Sequence, residues 1–314
     1  MDDLIFYENG KAIGIVAPST FYSSAQGEVI INGPDAICQV MAQDETCLRR
    51  ALMSAGALVI GDESEVAAVE QLLQDPATSR TTSYFLCVAK TCAEVITDIA
   101  AIRSSRILIG GCGGIGSSLC MLLAGAGVRD FVLVDPDIVE ESNLNRQLFW
   151  TLADVGRAKV DVLSDALNAR FRGIKITSHR DEAGIEQYSD LIDLNTSAVA
   201  ITADNPPTLA HDSVMLSEKF GIPVVSGGYI HRMCTSYFFS PYDAHEVVAQ
   251  FESKKRDSSE RLPSSIMPSY GPINFSLASK LSANILSAIA KNTFGSSGSW
   301  IETWDMSIGG GQPY

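Results

Sequence analysis

The sequence contains no C-x-x-C pair. Its seven cysteines stand at positions 38, 47, 87, 92, 112, 120 and 234. Beyond Asp204 only Cys234 remains, so that half of the chain cannot supply four thiolates to a structural zinc, and no zinc is expected. An odd number of cysteines, several of them inside apolar runs, reads as buried, reduced thiols. Basic charge is scarce: 23 Lys and Arg face 37 Asp and Glu, for a net charge of −14. With no long basic run, neither nucleic acid nor an anionic membrane is an expected partner. No apolar stretch reaches the roughly eighteen residues that a membrane span needs. Residues 1–30 carry early acids and lack the cationic-then-apolar pattern of a signal peptide, so a cytoplasmic location is expected. The four histidines, at 179, 211, 231 and 245, fit neither a metal-ligand spacing nor a triad; His231, near Gly228, is the one closest to a candidate site. What remains is 314 residues, 46% of them hydrophobic, enough for two domains with a core.

Glycine is not scarce, and it concentrates where it matters. From Arg106 the chain reads RILIGGCGGIGSSLCMLLAGAGVRDFVLVDPD. Ile107–Ile109 predicts a buried strand. Gly111, Gly113, Gly114 and Gly116 punctuate a turn. Ser117 to Ala126 predicts an uncharged, buried helix, and Phe131 to Val134 a second strand ending at Asp135. Strand, glycine turn, helix and strand in about thirty residues form a dinucleotide-binding unit. Glycines admit phosphate oxygens to the backbone N–H groups, the helix aims partial positive charge at them, and Asp135 offers acceptors to ribose hydroxyls. The same glycines would also serve close helix–sheet packing.

The following residues favour a triphosphate over a nicotinamide. Asn143-Leu144-Asn145-Arg146-Gln147 and Asp154-Val155-Gly156-Arg157-Ala158-Lys159 place an arginine and a lysine soon after the acid. Arg146 suits bidentate contact with phosphate oxygens, and Lys159 suits a mobile point charge. Further on, Ala198–Ala203 predicts a buried strand ending at Asp204, where open α/β sheets bind ligands; a helix N-cap is the plainer role for that acid.

The pieces GCGGIGS, VDPD, SNLNRQ, DVGRAKV, ITADNP and VVSGGYI occur in this order. In that combination the chain resembles the ubiquitin-activating, E1-like adenylating enzymes, including ThiF and MoeB. It is most similar to the peptide-modifying members that act in microcin C and pantocin A maturation. The resemblance implies a Rossmann-like α/β adenylation domain, ATP and Mg²⁺ as ligands, and a homodimer. It implies nucleotide contacts from Gly111, Gly113, Gly114, Gly116, Asp135, Asp137, Asn143, Arg146 and Lys159, with Asp204 holding Mg²⁺. Family members carry an arginine-containing stretch that reaches the partner's nucleotide. Here Arg80 fits its first arginine and Ser83 occupies the second, so Arg103 or another group is an alternative. Cys234, in a strand-like stretch, and Cys112, a small filler of the glycine loop, are not expected to serve as nucleophiles.

Residues 1–79 are expected to form a separate α+β, winged-helix-like domain that recognises a precursor peptide, ahead of an adenylation domain at 80–314. A dimerisation or lid role is the simpler alternative. Leu4–Tyr7 and Ala12–Val16 predict a hairpin about Asn9-Gly10. Glu28, Val29, Ile30 and Ile31 predict a third strand, taken as a sheet edge able to pair with the peptide after a flexible Ser23–Gly27 segment, with a helix bearing Leu48 and Leu52 as the other wall. Ile37, Val40 and Met41 predict one helix, Leu48, Leu52 and Met53 a second, and Val66, Val69, Leu72 and Leu73 a third. Asp75–Ser79 reads as a linker. Val160–Arg170 and Phe275–Ile289 read as helices, residues 240–272 as a polar loop, and Gly309–Gly311 as a flexible end. The activity expected is attack of a peptide carboxylate or amide oxygen on the α-phosphorus of ATP, leading to cyclisation or nucleotide attachment. A sulfur-carrier adenylyltransferase and a non-catalytic peptide-binding partner are the alternatives.

Overall fold

The structure is a computed structural model that describes residues 4–25, 28–41, 45–253 and 268–306. Gly309–Gly311 and residues 254–267 of the expected polar loop lie outside them. The chain divides into two compact units: residues 1–103 with 290–296, and residues 104–289 with 297–314.

The first unit opens with β1 (Ile5–Glu8) and β2 (Lys11–Val16), paired antiparallel. Asn9 and Gly10 turn the chain with φ of 52° and 75°, as a tight hairpin of right-handed twist requires. Next come β3 (Phe21–Ala25), β4 (Glu28–Asn32), β5 (Ile37–Met41), α1 (Glu45–Ser54), β6 (Leu58–Ile60), α2 (Glu63–Gln74), α3 (Ser79–Phe85) and α4 (Cys92–Ser104). Two three-stranded antiparallel sheets result, β1-β2-β6 and β3-β4-β5. Phe6, Ile31, Ala51, Leu52 and Leu58 form the core between sheets and α1.

Four expectations need correction here. Ile37–Met41 is a strand: Cys38 and Val40 turn inward while Ile37, Gln39 and Met41 face out, a period of two stabilised by pairing with β4. Glu28–Ile31 lies on β4, the middle strand, whose backbone is already paired on both sides, so the edges of that sheet are β3 and β5. Ile31 and Leu52 are core residues, 1% and 4% exposed, and are not walls of an open groove. Ser23 and Ser24, expected to be flexible, belong to β3.

The expected linker is a tight turn in which Asp75 accepts from the Ala77 N–H (2.9 Å), and α3 follows at once. The compact unit runs on to Arg103. Residues 290–296 join it through Asp98, 0% exposed, which accepts from Asn292 Nδ2 and the Thr293 N–H, both at 2.6 Å.

The second unit is built on a seven-stranded sheet. In chain order its elements are β7 (Arg106–Gly110), α5 (Gly114–Ala126), β8 (Asp130–Val134), α6 (Lys159–Arg170), β9 (Lys175–His179), α7 (Ile185–Leu191) and β10 (Thr196–Ile201). There follow α8 (Leu209–Asp212), α9 (Val214–Phe220), β11 (Val224–Ile230), β12 (Met233–Phe239), α10 (Ala244–Ser253), α11 (Gly271–Ile289) and β13 (Trp300–Asp305). The strand order is β13-β12-β11-β10-β7-β8-β9. The five strands from β11 to β9 are parallel, and β12 and β13 add antiparallel. Ile107, Leu108 and Ile109 are fully buried, as a strand covered on both faces demands. Helix α11 buries Ile273, Leu277, Leu281 and Ile285, four residues apart. Each such side chain contributes about 1.5–3 kcal/mol. The sheet order reverses between β7 and β10, and in open α/β sheets ligands bind outside the strand ends at such a point.

Candidate functional site

At that reversal β7 ends at Gly110, beside Ile201 of β10. The chain then turns through Gly111, whose φ of +88° suits glycine. Three ties hold the turn. The Gly111 N–H donates to the Val134 carbonyl (2.8 Å), the Cys112 N–H donates to Asp135 Oδ2 (2.6 Å), and Thr202 Oγ1 donates to the Gly111 carbonyl (2.7 Å). A Cβ on Gly116 would stand 1.8 Å from the Gly111 oxygen, so only glycine lets α5 start this close. Gly113 caps α5 without a side chain, and helical bonding reaches back from the Ser117 N–H to the Gly113 carbonyl (3.0 Å). The amides of the first turn therefore keep no intrahelical acceptor, and they carry the positive end of the helix dipole.

A charged cluster sits beside this turn. Asp135 is 5% exposed and also accepts from the Asp137 N–H at 2.9 Å. Burial raises its carboxyl above the usual range, and Lys159 and the two amides pull it partly back. Lys159, the first residue of α6, is 7% exposed; its Nζ lies 2.7 Å from Asp137 Oδ2, and its N–H donates to the Asp137 carbonyl at 3.0 Å. The Cys112 thiol is fully buried and driven far up by that burial and by Asp135, so it is a filler of the turn.

After β8 a 3-10 turn at Glu141–Asn143 shapes the SNLNRQ stretch. Asn143 is buried, and its Oδ1 accepts from the Glu140 N–H (3.1 Å), so this carboxamide oxygen shapes the turn. Arg146 Nη1 donates to the Ser142 carbonyl (2.7 Å) and to Asn145 Oδ1 (3.0 Å). Among the described residues no carboxylate neutralises it. Gln147, passed over in the sequence, is 4% exposed; it accepts from Trp150 Nε1 (2.7 Å), and its Nε2 is 3.7 Å from a Cβ placed on Gly113.

Asp204 follows β10. The Thr202 and Ala203 N–H groups both donate to the Gly110 carbonyl, at 2.7 and 3.0 Å, which brings this segment to the glycine turn. Asp204 itself is exposed and has no hydrogen bond or ion pair among the described residues. Nor do three His, Cys, Asp or Glu side chains converge as a metal cage among them. Cys234 on β12 is buried, its thiol raised by burial. His231 is exposed in the β11–β12 turn, with φ of 55°.

Thus the glycines, Asp135, Asp137, Lys159, Asn143, Arg146 and the strand end before Asp204 gather at the sheet reversal. Arg80, exposed on α3, belongs to the first unit, as do Glu28–Ile31, Leu48 and Leu52. Helix α11 starts at Gly271, four residues before the helix expected from sequence; in its first turn Asn274 borders Gly114 and Gly271 borders Arg146.

The profile of the ThiF family matches residues 93–302. The curated "Adenylyltransferase and sulfurtransferase uba4" of Aspergillus niger is 36% identical over 127 residues, 40% of this chain and 26% of that protein. "Probable adenylyltransferase/sulfurtransferase MoeZ" of Mycobacterium tuberculosis is 40% identical over 78 residues, 25% of this chain and 20% of that protein. The matched stretches thus span about a quarter of these relatives. Among solved structures, E. coli MccB with AMPCPP and MccA superposes with a TM-score of 0.67 at 15% identity, covering 94% of this chain and 97% of that one. PaaA superposes at 0.63 with 16% identity, covering 92% and 96%. At that identity the likeness is one of fold.

Proposed function

The chain belongs to the ThiF family, whose adenylyltransferases are enzymes, and from that membership we propose that it uses ATP to adenylate a carboxylate or amide of a ribosomally made precursor peptide. Cyclisation or nucleotide attachment follows, as a step in making a peptide antibiotic. The observation that carries the reading is the extent of the fold likeness. It runs through 94% of the chain, so it takes in the N-terminal unit, and MccB has been solved with MccA and with ATP. The N-terminal unit is assigned to peptide recognition and the second unit to adenylation.

In the reaction the substrate oxygen bonds to the α-phosphorus, the bond from that phosphorus to the β-phosphate oxygen breaks, and pyrophosphate departs with the electron pair. The free amides at the start of α5 bind phosphate oxygens, and Asp135, whose oxygens each accept one N–H, keeps lone pairs for ribose hydroxyls. Arg146 and Lys159 offset charge on the phosphates as it shifts toward the leaving group. The residues present fit Mg²⁺: Asp204 is an exposed carboxylate without a partner among the described residues, and Mg²⁺ takes one or two carboxylates together with phosphate oxygens. Bound there, Mg²⁺ would neutralise and orient the triphosphate. A homodimer in which Arg80 reaches the partner's nucleotide completes the proposal.

The sulfur-carrier reading has its own support, because the sequence relatives over the nucleotide-binding region are adenylyltransferase–sulfurtransferases. Incubating the protein with ATP and either a candidate precursor peptide or a sulfur-carrier protein, then reading pyrophosphate release and product mass, separates the two. Turnover of the carrier and not of any peptide would overturn the first reading.

A further inference from the structure

Helix α11 has a mostly apolar buried face, with Asn274 and Ser282 as its buried polar residues. Asn274 sits in the first turn, 3% exposed, and its side chain has no hydrogen-bond partner among the described residues. Its polar atoms are not among the fully enclosed, unsatisfied ones, so what is left of its exposure keeps the carboxamide open to solvent or to a ligand. A Cβ on Gly114 would stand 2.2 Å from Asn274 Nδ2, so the amide nitrogen lies directly against the first residue of α5. Gly114 is where the anion-binding amides begin. Ile115, next along, packs with Ile273 and Leu277, which fixes the start of α11 against the start of α5. On the other side Gly271 approaches Arg146, with 3.8 Å from a Cβ there to the Arg146 Cα. The preceding segment is held to β11, where Tyr229 Oη and Ser269 Oγ share a hydrogen bond of 2.7 Å and the Tyr270 N–H donates to Tyr229 Oη at 3.2 Å. The start of α11 is thus fixed between the glycine turn and Arg146, with a free amide donor in the gap.

We propose that Asn274 is a nucleotide-contact residue whose carboxamide N–H donates to a phosphoryl oxygen of the nucleoside triphosphate held at the start of α5. This rests on the ATP reading above. The ligand completes a hydrogen bond that the protein leaves open, and a neutral donor adds contact without adding charge beside Lys159 and Arg146.

Calorimetry on the full chain tests it, with ATP and adenosine as probes against wild type, Asn274→Ala and Asn274→Asp. Asn274→Ala is expected to weaken ATP about tenfold or more, since it removes one bond to a charged acceptor. Adenosine, which lacks phosphates, should bind both alike. The thermal midpoint of the ligand-free protein should stay near wild type, because the Asn274 side chain makes no hydrogen bond among the described residues. Asn274→Asp, nearly the same shape, should weaken ATP further by setting a carboxylate against the phosphates. If Asn274→Ala binds ATP within twofold of wild type, or loses adenosine in parallel, the assignment is wrong. If the alanine variant does not fold, wild-type ATP affinity in the aspartate variant overturns it equally. Failure of the wild type to bind ATP at all refutes the nucleotide reading, a result distinct from the others.

Discussion

Lys159 Nζ lies 2.7 Å from Asp137 Oδ2, joining the first residue of α6 to the second acid beyond β8. The lysine side chain is 9% exposed and the aspartate 63%, so the pair reaches from a buried cation to a solvated carboxylate. Asp137 thereby holds Lys159 at the edge of the glycine turn. Lys159→Met should lower ATP–pyrophosphate exchange by about a hundredfold or more, the typical loss of one charge-stabilising group. Asp137→Ala should cost about 1–2 kcal/mol in chemical denaturation, less than a fully buried pair, because water can partly replace the carboxylate. Full exchange activity in the methionine variant would remove Lys159 from the chemistry.

The Asp135 carboxyl should titrate above its ordinary value of 3.8, because burial disfavours the charge. Lys159 opposes that shift, so Lys159→Met should move the midpoint further up. The linkage has a definite sign. A carboxyl whose folded value is raised binds more proton in the folded chain than in the unfolded one. Its contribution to stability is therefore present below the unfolded value and declines as pH rises through the folded value. Carbon NMR of the Asp135 carboxyl in both proteins reads this directly; a midpoint that falls in the methionine variant contradicts the cluster as described.

Asp204→Ala should leave the thermal midpoint unchanged, since the side chain is exposed and has no partner among the described residues. Turnover should drop by about 3 kcal/mol in transition-state stabilisation, a hundredfold or more. The Mg²⁺ dependence of exchange should weaken with it. Activity within a few-fold of wild type, with unaltered Mg²⁺ dependence, would reject the metal assignment.

The parts of this site that were legible in the sequence are those where backbone geometry restricts the residue. Gly111 at φ +88° and Gly116 against the Gly111 oxygen tolerate little else, so glycine spacing reported the turn. Strand β5 was not legible, because Ile37, Val40 and Met41 satisfy a helical stripe. Only pairing with β4 stabilises the strand, and that partner is a tertiary fact. Asn274 carried no signal either: one asparagine at the start of an apolar helix is unremarkable until Gly114 is found beside it.

Cys234→Ala should retain activity within a few-fold, and elemental analysis should find no stoichiometric zinc. The thiol is 0% exposed, packed with Ile273 and Leu277, and burial raises it away from the thiolate form a nucleophile needs. The substitution removes one buried sulfur, so a loss of about 1 kcal/mol in stability is expected. About one zinc per chain, or an inactive but folded variant, would overturn both statements.

If peptide recognition uses main-chain pairing on the β3-β4-β5 sheet, it must use one of that sheet's edges, because β4 has no free side. Strand β3 is the better candidate. Phe21 and Tyr22 there are 70% and 72% exposed, neighbouring aromatics that add little to folding and would gain by being covered. Ile37 and Met41 on β5, 68% and 52% exposed, mark the opposite edge. An extended peptide adding to β3 would pair through its backbone, while side chains of alternate residues met Phe21 and Tyr22 on the two faces of the sheet. The double change Phe21→Ser with Tyr22→Ser should therefore weaken binding of the precursor peptide about tenfold or more, leaving ATP affinity and thermal midpoint near wild type. Ile37→Lys with Met41→Lys should have a smaller effect. Fluorescence anisotropy with a labelled peptide gives both numbers. The reverse order would move the docking edge to β5. If neither pair changes the affinity while the peptide still binds, these edges do not recognise it.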